Sequence, residues 1–314
     1  MASQHPILTL TLNPTIDGSA EAERIEPIHK IRTSNERYSA GGGGINVARV
    51  VNALGGNAAA IYLAGGPMGD VLDKLVAGAG IAGQAIRIQG ATRIAHSVFE
   101  RATGTEYRFV PEGPEIAMEE WASCRTAISR RPWDYLVASG SLPPSAPAEA
   151  YAELAAIARH RHARLVLDTS GMALAAALEE GVFLVKPSLR ELETLVGRRL
   201  EDENQRLEAA EGLVRAGKAE VVALSLGREG ALLVTREDRI RLRAPAVEAK
   251  STVGAGDSFL GAMALKLSRG APVANAFAYG VAAGTAAVLA PGHEVVRPAD
   301  VERFFEELIV SASE

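Results

Sequence analysis

The sequence predicts an α/β fold in which helices cover a mostly parallel sheet. Two observations carry this expectation. Short apolar runs alternate regularly with amphipathic helical stretches, which is the pattern of β-α-β units. The runs are also apolar enough to be buried on both faces, as in a parallel sheet covered by helices.

The elements follow in order. Residues 7–12 (ILTLTL) read as the first strand, and a helix over 45–54 opens just after four glycines. Residues 58–63 form the next strand and 69–79 the next helix. Brief apolar runs at 135–138, 165–167, 183–185 and 221–224 are further strands, interleaved with helices at 149–161, 173–180, 189–196 and 206–216. The last part of the chain is almost wholly helical, over 258–268, 272–289 and 298–310. Pro272 and Pro298 stand at first-turn positions, where a missing N–H costs nothing. Two segments break the pattern. Residues 17–38 are polar with scattered isoleucines, and 96–110 alternate around Gly104 as an antiparallel hairpin with one covered face. A hairpin inside an α/β chain is either a lid over a site or an edge ornament, and alternation alone does not choose.

Composition narrows the function classes. The 314 residues suit one large domain or two small ones. A 47 % hydrophobic share supplies a core, and a net charge of −5 without a basic face argues against nucleic acid. Cys124 is the only cysteine, which excludes an internal disulfide and a cysteine-rich metal site and points to a reducing compartment. There is no signal-peptide pattern, and no apolar run nears the roughly 18 residues of a membrane helix. The expectation is a cytoplasmic protein with no membrane partner.

The most informative stretch is Thr252-Val253-Gly254-Ala255-Gly256-Asp257-Ser258-Phe259, a small-residue turn feeding a long helix. The first N–H groups of a helix lack internal partners and carry partial positive charge, and glycines let a phosphate approach them. Asp257 at such a cradle is placed to take a proton from an attacking hydroxyl. The same residue type is also a good N-cap, and a glycine turn before a helix is often only a turn. The dinucleotide fingerprint fails because residue 259 is Phe, and the Walker A pattern is absent: Gly217-Lys218 is followed by Ala219.

Near the N-terminus, Gly41-Gly42-Gly43-Gly44 precede Ile45-Asn46. Such a run suits backbone contact with a ligand or a flexible hinge. Asn46 offers a donor and an acceptor to a sugar hydroxyl. Asp17, in Asn13-Pro14-Thr15-Ile16-Asp17, follows the first strand, where open α/β sheets bind ligands; a solvated loop carboxylate is the alternative.

Taken together, the glycine run with Asn46, the turn at 252–257 and the early Asn13-Pro14-x-x-Asp17 resemble the ribokinase-like carbohydrate kinases of the pfkB family, in the branch that phosphorylates sugar phosphates. The likeness runs from about residue 6 to 310. It implies a three-layer α/β/α fold with a mostly parallel central sheet and a small β-sheet lid, as one kinase domain over 1–314 with lid segments at about 15–38 and 94–111. It implies transfer from ATP with Mg²⁺, and a homodimer paired through the lid. The expected reaction is fructose 6-phosphate to fructose 1,6-bisphosphate, with tagatose 6-phosphate or fructose 1-phosphate as rival acceptors and a silent sugar or nucleotide sensor as a distant one.

By position, the resemblance makes Asp257 the base and Gly254, Ala255 and Gly256 the anion hole. Asp17, Gly42, Gly43, Asn46 and Ser141 become sugar contacts, and Arg93 the contact to the acceptor's own phosphate. Lys186, Ser188, Glu191, Ser225 and Gly227 fall on the nucleotide side. Lys30 matches a contact to a second, inhibitory ATP, and Ser251, Val253 and Gly292 lie where relatives bind a monovalent cation such as K⁺ through backbone atoms. One departure stands out: the family's Asn-x-x-Glu is Ser188-Leu189-Arg190-Glu191 here, so a contact made by an amide is lost or bridged by water. The departure bears more on allosteric inhibition by ATP than on catalysis.

Overall fold

The computed structural model describes residues 4–289 and 296–311. In chain order the elements are β1 (Ile7–Thr11), β2 (Thr15–Ala22), β3 (Thr33–Gly41), α1 (Gly43–Ala53), β4 (Ala58–Gly65), α2 (Gly66–Gly78), β5 (Ala82–Ile88), β6 (Arg93–Glu100), β7 (Thr105–Phe109), α3 (Met118–Arg130), β8 (Tyr135–Ser139) and α4 (Ala150–His160). They continue with β9 (Arg164–Asp168), α5 (Gly171–Glu180), β10 (Val182–Val185), α6 (Leu189–Val196), α7 (Glu203–Arg215), β11 (Ala219–Ser225), β12 (Ala231–Val234), β13 (Arg239–Leu242), α8 (Ala255–Ser268), α9 (Val273–Ala287) and α10 (Pro298–Ser311).

Nine strands form the main sheet in the order β13-β12-β11-β10-β9-β8-β1-β4-β5. All neighbours are parallel except β11-β12-β13, which run antiparallel. The apolar runs read as doubly buried strands are so: all five residues of β1 and of β8 are buried. Successive side chains leave a strand on opposite faces, and adjacent residues feed two separate cores. Val137 packs with α1, α8 and α9, while Leu136 and Ala138 pack with α3 to α7. Each such Val or Leu contributes about 1.5–3 kcal/mol on burial, so this alternation fixes both helical layers to the sheet.

Helix α7 begins three residues before the expected 206 because Asp202 caps it, its Oδ1 accepting the Gln205 N–H at 2.8 Å. The strands β5, β12 and β13 were not read: β5 is a half-exposed edge, β13 (RIRL) alternates charged and apolar residues over only four positions, and β12 (ALLV), though apolar and buried, is equally short.

The two segments that break the alternation build a second sheet of order β3-β2-β6-β7. The hairpin expected at 96–110 is β6-β7, antiparallel, with His96 opposite Phe109 and Gly104 in the turn at φ 69°. The polar stretch 17–38 hid two strands, because the first six residues of β3 are exposed and show no apolar alternation. β3 runs through Gly41 and Gly42 into α1, so the small sheet joins the main one at the glycine run.

Candidate active site

The carboxyl ends of β1, β8 and β9 meet the N-termini of α1 and α8. A cavity of about 250 Å³ opens there, lined by Gly43, Ser139, Ser141, Asp168, Glu191 and Asp257 among others.

Helix α8 brings Asp257 to this cavity on its first turn. Gly254 is its N-cap, in the left-handed region at φ 76°, and no side chain caps the helix. The Ser258 N–H is bonded to the Gly254 carbonyl at 2.8 Å. The N–H groups of Ala255, Gly256 and Asp257 precede the first intrahelical bond and carry the positive end of the helix. Asp257 is therefore the third residue of α8 and not its cap. Its side chain keeps a partly exposed edge on the cavity and is otherwise enclosed.

Two neighbours orient that carboxylate. Asn46 Nδ2 donates to Asp257 Oδ2 at 2.9 Å, and Ser139 Oγ lies 3.5 Å from Oδ1. Burial, with the charge of Asp168, raises the Asp257 pKa to about 6, against the opposing pull of Asn46, Lys186 and Ser139. Lys186 is buried, and its Nζ sits 3.0 Å from Asp168 Oδ2. Burial alone would lower the Lys186 pKa, but Asp168, Asp257 and Glu191 outweigh it and hold the lysine charged. Asp168 is raised by the same burial, more than Lys186 lowers it. The site thus gathers three carboxylates around one buried ammonium, beside a positive helix end.

The glycine run is tight. A Cβ on Gly43 would fall 2.1 Å from Ser139 Oγ, and the Ile45 N–H donates to the buried Thr11 Oγ1 at 2.9 Å. Gly42 is the N-cap of α1. Asp17 stands on β2 opposite Ser39, with its carboxylate against Gly41. Ser141 lines the cavity, 3.4 Å from Asn13 Nδ2. Arg93 lies apart from this cavity, on a larger one of about 770 Å³ formed with the 111–117 segment. Its Nη1 donates to the Pro111 carbonyl and its Nη2 to the Asn13 carbonyl, each at 2.7 Å. Burial depresses its pKa, and the charge of Asp17 opposes that.

On the other side, Ser188 caps α6. Its Oγ accepts from the Glu191 N–H at 3.3 Å, and Glu191 Oε2 accepts from the Ser188 N–H at 2.7 Å, a reciprocal capping box. Ser225 bonds the Pro187 carbonyl through its N–H and hydroxyl, and Gly227 opens a 3₁₀ turn at φ 59°. Lys30 is exposed in the loop between β2 and β3 and lines neither cavity. Of the cation set, Ser251 is buried with its Oγ accepting from the Val253 N–H at 3.2 Å, whereas Gly292 lies outside the described residues.

Among the described residues no three His, Cys, Asp or Glu side chains form a metal cage. Mg²⁺ bound with a nucleotide needs none, since phosphates, waters and one or two carboxylates complete its shell. Asp168 and Glu191 on the cavity wall fit that donor set.

Sequence reasoning passed over Asp168, Ser139 and Arg49. The signal for Asp168 was present: LVLD ends a buried strand, the same position that singled out Asp17.

Comparison with known proteins adds the relatives. The sequence profile described as pfkB family carbohydrate kinase matches residues 11–299. The ATP-dependent 6-phosphofructokinase isozyme 2 of Mycobacterium tuberculosis is 42 % identical over 302 residues, covering 96 % of this chain and 89 % of its own. A 1-phosphofructokinase from Borreliella burgdorferi is 30 % identical, covering 90 % of this chain and 92 % of its own. Phosphofructokinase-2 from Escherichia coli has been solved with fructose-6-phosphate (TM-score 0.91, 38 % identity), with potassium (TM-score 0.94, 39 %) and as a tetrameric inhibited form (TM-score 0.91, 39 %). Each covers 97 % of this chain and 99 % of its own.

Proposed function

This chain belongs to the pfkB family of carbohydrate kinases, and from that premise we propose that it transfers the terminal phosphoryl group of ATP to a hydroxyl of fructose 6-phosphate, giving fructose 1,6-bisphosphate. The observation that carries the reading is Asp257, which is oriented by Asn46 and lines the cavity from the first turn of a helix that no side chain caps.

Asp257 accepts the proton of the sugar hydroxyl as its oxygen attacks the terminal phosphorus and the bond to ADP breaks. The N–H groups of 255–257 meet the charge on the equatorial oxygens, and Lys186, next to Gly256, adds a buried positive charge. Such transfers have a loose transition state, so positioning and electrostatics supply most of the acceleration. Mg²⁺, when bound with the nucleotide, neutralises phosphate charge; Asp168 and Glu191 would hold it. Asp17, Gly42, Gly43, Asn46 and Ser141 bind the sugar. Arg93 meets the acceptor's own phosphate, a task its planar fork suits. Ser188, Ser225 and Gly227 border the nucleotide. A monovalent cation at Ser251, Val253 and Gly292 is part of the same reading, prompted by the potassium complex of the E. coli relative. Lys30, exposed between β2 and β3, is the candidate contact to a second, inhibitory ATP, and Ser188, which spends its hydroxyl on the α6 cap, is where that regulation departs from the family pattern.

We read residues 1–314 as one kinase domain with lid segments at about 15–38 and 94–111, working in the cytoplasm as a homodimer. Exposed Tyr38, Phe99, Tyr107 and Phe109 on the small sheet favour pairing through the lid. A second acceptor, fructose 1-phosphate, is favoured by the 1-phosphofructokinase relative. A coupled ADP assay with ATP and Mg²⁺ decides between them. Fructose 6-phosphate should give the highest kcat/KM among fructose 6-phosphate, tagatose 6-phosphate, fructose 1-phosphate and unphosphorylated sugars. Preference for fructose 1-phosphate, or no ADP release, would overturn the assignment.

A further inference from the structure

Arg49 lies three residues beyond Asn46 on α1, so the two share a helical face. Its Nη2 donates to the Ala40 carbonyl near the end of β3, reaching back across the glycine run to the small sheet. Its Nε is buried without a hydrogen-bond partner. A half-buried charged group whose Nε is orphaned is costly, and that cost needs an explanation beyond packing. Asp17 and Asp257 supply one. Both carboxylates act on the Arg49 charge and oppose the effect of burial on it. Asp17 also rests on Gly41, next to the carbonyl that Arg49 holds: a Cβ there would sit 2.0 Å from Asp17 Oδ2.

We propose that Arg49 is a positioning residue for the transfer: it clamps the end of lid strand β3, the strand that pairs with Asp17, to α1 across the glycine run, on the helical face that carries Asn46. This rests on reading Asp257 as the base and Asp17 as a sugar contact. Because Arg49 bonds the strand that pairs with Asp17, its loss loosens the sugar side while the nucleotide side, built from Lys186 and α6, stays in place.

The test uses Arg49→Met and Arg49→Lys in the full chain, with Asp257→Asn as reference. In Arg49→Met, kcat should fall by about 10²-fold, the typical result of misplacing a reacting group by about 1 Å. The KM for the sugar phosphate should rise about tenfold, as loss of a charged contact implies, while the KM for ATP stays within about twofold. The melting temperature should fall modestly, since the Ala40 carbonyl loses its donor and the clamp onto β3 is gone, so the split between the two KM values is the readout that decides. Arg49→Lys keeps the charge but lacks the fork, and should fall between. Sugar-phosphate kinetics within about twofold of the parent would overturn the proposal. So would an equal rise in both KM values, which marks a merely structural residue. If Arg49→Met does not fold, Arg49→Lys is judged by the same split. An inactive Asp257→Asn beside an unaffected Arg49→Met sinks the clamp alone; an active Asp257→Asn sinks the base first.

Discussion

The two glycine-rich turns look alike in sequence and differ in physical cause. Each launches a helix at the site, at 41–44 into α1 and at 254–256 into α8. In the first, glycine is demanded by crowding: a Cβ on Gly44 would lie 2.3 Å from the Leu10 carbonyl oxygen, and one on Gly43 would strike Ser139. In the second, a Cβ on Gly254 would meet nothing within 4 Å, and one on Gly256 would only touch Lys186 Nζ at 3.4 Å. The first turn is packed against the sheet. The second faces open space, beside unpaired N–H groups. A glycine signal therefore marks either close approach of protein to protein or room for a ligand, and only the surroundings tell which.

The same substitution made in each turn should break in opposite ways. Gly44→Ala forces a methyl into the backbone of β1, which cannot yield, and should cost about 3 kcal/mol or more. That is a large part of the roughly 5–15 kcal/mol that keeps a domain folded. Loss of soluble protein or a sharply lowered melting temperature is the expected result. Gly256→Ala should fold as well as the parent, helped by up to about 1 kcal/mol of helix propensity. Its methyl stands where a phosphoryl group must reach the N–H groups, and turnover should drop roughly 10²-fold, the usual cost of one lost oxyanion donor. A Gly44→Ala protein that melts like the parent, or a Gly256→Ala protein with full activity, would erase the contrast.

The same distinction explains what was legible beforehand. β1, β8, β9, β10 and β11 were readable because their apolar runs are buried on both faces, and α6 was read at its full bounds, 189–196. Asp257 stood out because a short local pattern carries an acid, glycines and a helix start together. In the small sheet, β3 escaped because a largely solvated strand has no apolar rhythm, and β2 (TIDGSAEA) because its covered positions are filled mostly by small and polar residues. Asp168 was legible by position, at the end of a buried strand, but its pairing with Lys186, 18 residues further on beside a neighbouring strand end, was not. Arg49 escaped for the same reason: its partners at 17, 40 and 257 meet only once the two sheets are assembled. Local chemistry was visible in the sequence, and tertiary pairing was not.

The role of Asp257 is tested most directly by kcat measured from pH 5 to 8 in the parent and in Asp257→Asn, with ATP binding followed alongside. A base must be ionised, and burial lifts this carboxylate to about 6, so parent turnover should decline as pH falls through that value. For stability the sign is reversed. The folded protein binds more protons than the unfolded chain between the ordinary carboxylate range and about 6, so ionising Asp257 weakens the fold as pH rises through that window. The neutral amide should therefore fold at least as stably at pH 7 and bind ATP, yet turn over roughly 10²–10⁴-fold more slowly with no decline near pH 6. Turnover near that of the parent, with the same decline at low pH, would contradict the assignment of the base.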